Sequence, residues 1–534
     1  AQGGVDYFNM ENRVLSPPEL QFEKNADFPG ASLLGETNNT NSNLYLNLVH
    51  NYSTASEILF TTSVGVQFEN KNLNNSLIEA RGLVPTQSNV DQASVSNSFQ
   101  DRQIKRDRGF FVQEEVDLRG KVFLTAGLRG DASSANGNTD KYFLYPKFSA
   151  SLRLSQFDFW KSKFFPELKL RAAWGATGNQ PPPDAKFTSL IPANIGGRVG
   201  LIPSTRRGSS NIEPERTEEL ELGFDAGFWR DKGSLEFTYY NQNISNLFLI
   251  AALPPSSGFT EEFINGGEMR TWGFEVSLGL NPVKSRSFSW RTRLNFYRTR
   301  SKITKLNVDP FNKGGFATFL GTYRIQEGLS PTTIIGADVD ENGNPIKLGD
   351  GTPDFILSWN NSFNFHLGGG DLELYWLWEW RPGFDVVNLG KLIYDLGGNS
   401  ADYDDKATLE ALNLDEVPNG ESILKNCTDQ RMGPCRLQLL GLTTSPYVED
   451  GSFIKLRELA LTYNLPNSFV RNWFAGAVQY IRIGVSGRNL IMITDYDGYD
   501  PEVSQFGNVA IGRGIDTIPY PSSRTFHFKL SFGL

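Results

Sequence analysis

No stretch of this chain approaches the roughly 20 consecutive apolar residues that a membrane-spanning helix requires, which excludes a helical membrane protein. Cysteine is nearly absent: Cys427 and Cys435 are the only two, close together in a polar, turn-rich stretch. Such a pair suits one loop disulfide in an oxidising compartment, with two free thiols as the alternative. Histidine is as scarce. His50, His366 and His527 are dispersed and no Cys-x-x-Cys accompanies them, so a zinc site is not expected. Basic residues do not dominate either: 51 Lys and Arg stand against 60 Asp and Glu, a net charge of −9. That balance lacks the basic excess of a nucleic-acid binder. Gly-x-Ser-x-Gly, Walker and His-Glu-x-x-His patterns are missing, so no catalytic residue is nominated and no enzyme is expected. Acidic pairs such as Glu218/Glu219 and Asp404/Asp405 read as solvated surface rather than as a glycosidase dyad.

What the 534 residues do contain is 13% aromatic side chains and 52 glycines, too much apolar bulk for a disordered chain. Hydrophobicity alternates with period two, the signature of strands with one apolar face. Leu220, Leu222, Phe224, Ala226 and Phe228 interleave with Glu221, Gly223, Asp225 and Gly227. Trp272, Phe274, Val276, Leu278 and Leu280 do the same, as do Phe526, Phe528, Leu530, Phe532 and Leu534. About fifteen such segments follow one another from residue 43, all predicted as strands. Connections alternate between short, such as Arg119–Gly120 and Leu367–Gly369, and long: 69–105, 177–215, 299–353, 382–451 and 489–521. A sandwich has no reason to keep that parity. A transmembrane antiparallel β-barrel, with periplasmic turns and extracellular loops, does.

Side chains agree. Trp376, Trp378 and Trp380 share a face and end at Pro382 and Gly383, where a long loop begins, so an interfacial aromatic girdle is predicted there. A tryptophan-lined sugar platform is the alternative. Lys169, Arg171, Glu221, Asp225, Glu236, Glu275, Arg291 and Arg293 fall on the opposite, inward face, which a wide barrel keeps wet. Around Leu456 the apolar phase slips by one residue, from Ile454/Leu456 to Leu459/Leu461/Tyr463. A β-bulge between Leu456 and Leu459 is therefore predicted.

Longer strings carry a resemblance. LTAGLRGDASS (124–134), YPKFSASLRLS (145–155), LRAAWGATGNQ (170–180), NIEPERTEELELGFDAGFW (211–229), YVEDGSFIKLRELALTYNLP (447–466) and GRNLIMITDYDGYDPEV (487–503) stand in order, with YPSSRTFHFKLSFGL at the end. From about residue 40 onward the chain resembles the C-terminal part of a SusC/RagA-type TonB-dependent outer-membrane transporter of Bacteroidetes. The resemblance implies a 22-stranded barrel in which Asn43–Tyr52 is about strand eight and residues 1–42 are extracellular loop or irregular lead-in. It also implies that about seven strands and the N-terminal plug are absent from this chain. No signal peptide, plug-like segment or TonB box is read before residue 43. The terminal Leu534 departs from the aromatic ending often found in such barrels.

One loop has metal chemistry to weigh. Asp338, Asp340 and Asn342, followed by Gly343 and Asp350, resemble the opening of a calcium loop, in which alternate side-chain oxygens converge on one hard cation. Pro345 and Gly349, where the bidentate glutamate belongs, favour a plain polar loop, and no other cofactor is implied. The dense stretch Asp495–Glu502 reads as an ordered turn rather than as a ligand contact. The resemblance implies import of oligosaccharides or peptides across the bacterial outer membrane, with a SusD-like lipoprotein lid on the long loops. It further implies TonB acting through an N-terminal region not in this chain, outer-membrane lipid around the barrel, and a dimer of transporter–lipoprotein pairs. Two rivals are an outer-membrane scaffold or secretion-associated barrel without import, and a soluble carbohydrate-active β-protein. The latter would leave about fifteen apolar strand faces in water, far beyond the few hundred Å² that a soluble monomer tolerates.

Overall fold

The computed structural model describes residues 1–229, 232–400, 436–437, 439–504, 513–519 and 522–533. Sixteen strands form one antiparallel sheet in simple sequence order. They are β1 (Gln2–Ser16), β2 (Ala31–Ser53), β3 (Ile58–Leu83), β4 (Ala93–Leu118), β5 (Val122–Ser133), β6 (Phe143–Arg153), β7 (Glu167–Asn179) and β8 (Glu215–Phe228). There follow β9 (Gly233–Ser245), β10 (Gly267–Lys284), β11 (Phe288–Leu306), β12 (Ile356–Leu367), β13 (Gly370–Arg381), β14 (Phe453–Asn464), β15 (Tyr480–Thr494) and β16 (Thr525–Gly533). No helix among the described residues is long and apolar enough to cross a membrane. Contacts divide the chain into two compact units, each treated by itself below. The first comprises Ala1–Ala150, Ala173–Glu219 and Ile244–Gly267, the second Ser151–Ala172, Leu220–Asn243 and Glu268–Leu534.

Because side chains alternate across a strand, a fixed register turns the apolar positions of neighbouring strands into rows. In the first unit the pairing of β2 to β5 aligns Leu48, Val64, Val112 and Leu128, and next to them Leu46, Val66, Phe110 and Gly130. In the second, β11 to β16 align Trp290, Phe363, Leu374, Leu461, Val485 and Phe528. These rows are largely exposed, with Leu48 68% and Phe528 72% accessible. A row of this kind needs a non-aqueous neighbour, and closed ladders with an apolar exterior are how strands meet a bilayer. Short ends are closed by tight turns. Arg119 and Gly120 both take positive φ (58° and 63°), as do Gly368 and Gly369 (59° and 84°), matching the hairpin turn whose twist suits antiparallel strands.

Fifteen of the sixteen strands lie where the alternation predicts them; the structure corrects the rest. Residues 1–42 are no irregular lead-in, since β1 pairs with β2 from Gln2↔Tyr45 to Ser16↔Ala31. The expected long loop 69–105 is mostly strand, because β3 and β4 continue to Leu83 and from Ala93. Of the other long connections, 382–451 lies as expected to within one residue and the remaining three are shorter than expected; all carry small strands of their own, such as Leu190–Ile195 paired with Arg198–Pro203. The predicted bulge is present: Leu377 pairs with Glu458 and Trp378 with Leu456, leaving Arg457 as the extra residue. That insertion keeps Ile454 and Leu456 on the same face as Trp378 and Trp380.

The three tryptophans do share a face, but not one level. Trp380 lies in the loop-side row with Leu357 and Ile454, whereas Trp376 lies two rows deeper, beside Asn361 and Leu459. Alternate residues on a strand are about 7 Å apart along it, so the three cannot all occupy one interfacial girdle. Trp376 instead packs against Phe363 (ring centroids 4.9 Å) and Trp359 (6.3 Å), and its indole N–H is buried without a partner rather than turned to headgroups.

The row assignment makes a direct prediction. Leu459→Arg, in the middle of the apolar face, should destabilise the folded protein in lipid vesicles by about 2–4 kcal/mol. Ser486→Arg, on the opposite face, should change it little. Denaturant unfolding of both variants measures the difference.

Candidate functional site: a polar wall and a cored loop cluster

The face opposite the apolar rows is built on glycines that leave room for neighbours' side chains. In the first unit Gly65 sits across from Phe111, whose ring occupies the space a Cβ would need. Gly109 does the same for Asp131. Phe111 thereby lies flat and stacks on Tyr45 at 6.0 Å and 10°. Arg129 donates from Nε to both oxygens of Asp131 (3.0 and 2.8 Å) and from Nη2 to Gln67 (3.0 Å). Tyr45, Phe111, Arg129 and Asp131, with Tyr145 and Lys147, line a cleft of about 380 Å³. The Tyr145 hydroxyl is buried and has no hydrogen-bond partner, which marks a polar atom left for water or a ligand. The wall combines a stacked aromatic pair with a fixed ion pair: it can bind and orient a polar solute.

In the second unit the same face brings together three of the residues expected to point inward. Arg171 reaches Asp225 at 2.8 Å and Thr238 at 3.2 Å, with Lys169 at 3.6 Å from Asp225. Higher up, the bulge aims Arg457 at Glu379 (2.6 Å) and Glu502 (2.5 Å). Lys455 reaches Asp500 and Glu502, both at 2.6 Å, and Arg381 completes the group on Glu379 (2.6 Å) and Glu502 (3.2 Å). Phe453 lies beneath the three cations, its ring centre 4.6 Å from Lys455 Nζ and 5.4 Å and 5.6 Å from the Arg457 and Arg381 guanidinium carbons. Burial alone would push the Glu502 carboxyl up; hydrogen bonds and charge from Arg457 and Lys455 overcome it and hold the group down at about 2. The segment Asp495–Glu502 is thus an ordered turn clamped to the wall.

Beyond the wall the long connections of this unit fold on one another. Asp385–Asn388 pairs with Val448–Asp450 and with Ile515–Asp516, then enters helix α1 (Leu389–Leu396), which Asn388 caps through Lys391 N at 2.9 Å. Tyr323, Ile334, Val387, Leu392, Tyr447 and Ile515 form their common core. Inside it, Asp395 takes two bonds from Arg436 (2.8 and 2.7 Å) and one from Tyr447 (3.0 Å). Lys391 bridges Glu449 (2.7 Å) and Asp497 (3.0 Å); burial would lower its pKa, but the two carboxylates raise it overall. An open cleft of about 590 Å³ beside α1 is lined by Lys391, Tyr394, Asn399, Asp497 and Tyr499.

The calcium candidates are not brought together. Asp338 accepts from Thr443 Oγ1 (2.5 Å), Thr444 N (2.6 Å) and Ser445 N (3.2 Å). Asp340 accepts from the backbone of Asn342 and Asn344 (2.9 and 2.8 Å), and Asp350 from Thr332 (2.6 Å) and Lys347 (3.0 Å). Each oxygen set closes its own turn or ties a different loop. Among the described residues no cluster of three acidic, cysteine or histidine side chains could hold a metal ion. Cys427 and Cys435, the expected disulfide, and Asp404/Asp405 lie outside the described residues. Tyr45, Phe111, Arg129, Asp131 and Tyr145 escaped sequence reasoning. The signal was there in the inward glycines Gly65 and Gly109, which mark where a neighbour's side chain must lie.

Comparison with known proteins gives a consistent result. The family described as TonB dependent receptor-like, beta-barrel matches residues 5–419. TonB-dependent receptor P3 of Formosa agariphila is 28% identical over 471 residues, 79% of this chain and 45% of that protein. TonB-dependent receptor SusC of Bacteroides thetaiotaomicron is 22% identical over 458 residues, 79% of this chain and 43% of that one. The chain spans about half the length of the curated relatives it matches. Among solved structures, the RagAB peptide importer in its closed-closed state superposes with a TM-score of 0.74 at 19% identity. The match covers 98% of this chain and 58% of that one. The open-open state gives 0.73 at 17%, covering 100% and 58%.

The clamp on Glu502 has a pH signature. A glutamate held below its ordinary 4.5 stabilises the fold above that value, and the contribution is lost as pH falls towards about 2. The protection factors of the amides of residues 495–503, taken against their intrinsic exchange rates, should therefore hold at pH 5 and fall on acidification below about 4. Glu502→Gln should loosen the segment at neutral pH by about 1.5–3 kcal/mol.

Proposed function

This chain belongs to the TonB-dependent receptor-like β-barrel family, a family of outer-membrane transporters rather than enzymes, and from that premise we propose that it forms the wall and mouth of an active importer. The cargo is an oligosaccharide or a peptide, taken up across the outer membrane at the expense of energy delivered by TonB to a plug inside the barrel. The observation that carries this reading is the asymmetry of the sheet. One face carries rows of apolar side chains, while the other presents the stacked Tyr45 and Phe111, the Arg129–Asp131 pair and the unpartnered Tyr145 hydroxyl. A passive pore needs only water along its wall; paired charges and free polar groups beside aromatics suit a bound solute.

We infer that a SusD-like surface lipoprotein closes over the loop cluster. Loops held on a rigid scaffold are the usual place for such contacts, and here Tyr394 and Tyr499 stand exposed beside α1 with their hydroxyls 3.5 Å apart. A dimer of transporter–lipoprotein pairs is the assembly proposed for this arrangement.

Deletion of the gene should abolish uptake of one class of glycan or peptide in a host that grows on it. Uptake unchanged for every polymer tested would instead support a scaffold or secretion role. In the full-length protein, Tyr145→Phe should weaken substrate binding about two- to tenfold, the worth of one neutral hydrogen bond, without lowering barrel abundance. Titration calorimetry with the identified substrate reads this directly.

A further inference from the structure

The register of the first unit draws a boundary across its apolar face. Two successive rows below it are Leu48, Val64, Val112, Leu128 and Leu46, Val66, Phe110, Gly130. The next row is Leu44, Phe68, Arg108, Ala132, and the one after it Ser42, Asn70, Arg106. Within a single step of about 7 Å the face changes from hydrocarbon to arginine and amide. The change lies on the loop side of the sheet, because the opposite ends of β2, β4 and their partners close in the short turns 54–57 and 119–121. In an outer-membrane barrel, short turns are periplasmic, so Arg106 and Arg108 stand at the level of the outer leaflet's headgroups.

At this boundary the face is hollow. A cleft of about 720 Å³ has Leu44 and Phe68 at its apolar end and Ser42, Asn70, Arg106, Arg108 and Thr139 around its polar part; Glu69 and Asp107 also line it, each neutralised by a neighbouring lysine, Lys71 at 3.2 Å and Lys105 at 3.4 Å. Arg108 lies over the Tyr142 ring (5.5 Å) and pairs with Asp140 at 2.6 Å. The Asp140 side chain is 86% exposed, so this pair is worth little and opens readily. Arg106 forms no ion pair among the described residues, and its side chain is exposed on the same face. Two guanidiniums one row apart, with hydroxyl and amide donors beside them, suit a phosphate group. The apolar rows running on from Leu44 and Phe68 suit acyl chains attached to it.

We propose that this cleft is a binding site for a phosphorylated glycolipid of the outer leaflet, with Arg106 and Arg108 on its phosphate and the Leu44–Phe68 end under its acyl chains. The site lies on the lipid-facing side and is independent of what the barrel transports. Its ligand is a structural lipid rather than a cargo.

Native mass spectrometry of the full-length protein, delipidated and reloaded in mild detergent, tests the assignment. The probes are diphosphorylated lipid A, its dephosphorylated counterpart and inorganic phosphate. Wild-type protein should retain the diphosphorylated lipid at least about tenfold better than the dephosphorylated one, and Arg106→Gln/Arg108→Gln should remove that preference. Arg102→Gln, two rows further from the apolar belt on the same face, should leave it intact. Equal retention of the two lipids by wild-type protein would overturn the proposal even if the double variant failed to fold. So would an equal loss in Arg102→Gln, which would mean diffuse charge attraction. Displacement of the lipid by inorganic phosphate at matched concentration would overturn it too, by showing a site for the free anion.

Discussion

Everything in this molecule answers to one constraint: a strand in hydrocarbon must pair all of its backbone N–H and C=O groups with its neighbours, since no water is there to do it. Continuous ladders fix the register, and a fixed register with period-two side chains gathers apolar positions into rows on one face and most polar ones on the other. The rows from Trp290 to Phe528 and from Leu48 to Leu128 follow from that alone. So do the tight positive-φ turns at Arg119–Gly120 and Gly368–Gly369, which reverse the chain without losing a ladder partner. The inward glycines are the counterpart on the polar face. With backbones fixed about 4.8 Å apart, a large side chain such as Phe111 can lie flat only where its neighbour has none.

Where the ladder yields, it does so by one residue, and the loops are anchored there. Were Arg457 paired in regular alternation instead of bulged out, Leu459 and Leu461 would turn inward and Glu458 outward. The bulge restores the apolar face and projects a guanidinium between Glu379 and Glu502. Lys455 and Arg381 join it over Phe453, so that three cations meet three carboxylates, with Lys455 and Asp500 buried and the other four half-buried. Unpaired, any one of these charges would be costly there; matched, they hold the 495–502 turn against the wall. The loop cluster beyond has a core of its own. Val386, Val387, Ile334 and Ile515 are fully buried, each contributing about 1.5–3 kcal/mol. A long loop built in this way is a surface of defined shape, which is what a transporter mouth requires of the parts that meet a partner.

Legibility followed the solvent. Strands that separate hydrocarbon from water alternate strongly, and all fifteen were readable from Leu, Phe and Trp against Lys, Glu and Gly. The outer halves of β2, β3 and β4 stand in water on both sides, so both faces are polar and the period vanishes. Their Asn38, Asn74 and Gln100 pair across the ribbon (Asn9–Asn38 2.6 Å, Gln100–Asn74 3.1 Å) without any hydrophobic signature. β1 was hidden for another reason. Val5 and Tyr7 sit on odd positions and Phe8 and Met10 on even ones, so its apolar residues cancel. The polar wall was half legible: Arg171 and Asp225 fell on the inward face, but that Arg171 closes on Asp225 across the sheet depends on strand pairing.

The sequence by itself determined the class of this protein, because period, turn chemistry and the parity of connection lengths are local properties. It also determined the bulge near Arg457, since a slip of phase is visible within one strand. Only the tertiary structure decided which charges meet and which polar atoms stay free. Asp338, Asp340 and Asp350 have the spacing of cation ligands, yet each is spent on a different loop, because hydrogen-bond partners more than 100 residues away, such as Thr443 and Thr444, reach Asp338 first. The three tryptophans of β13 have the composition of a girdle, yet their depth is set by register against β12 and β14. A side chain's face can be counted along the chain, but its neighbours are chosen by strands that lie far away in sequence.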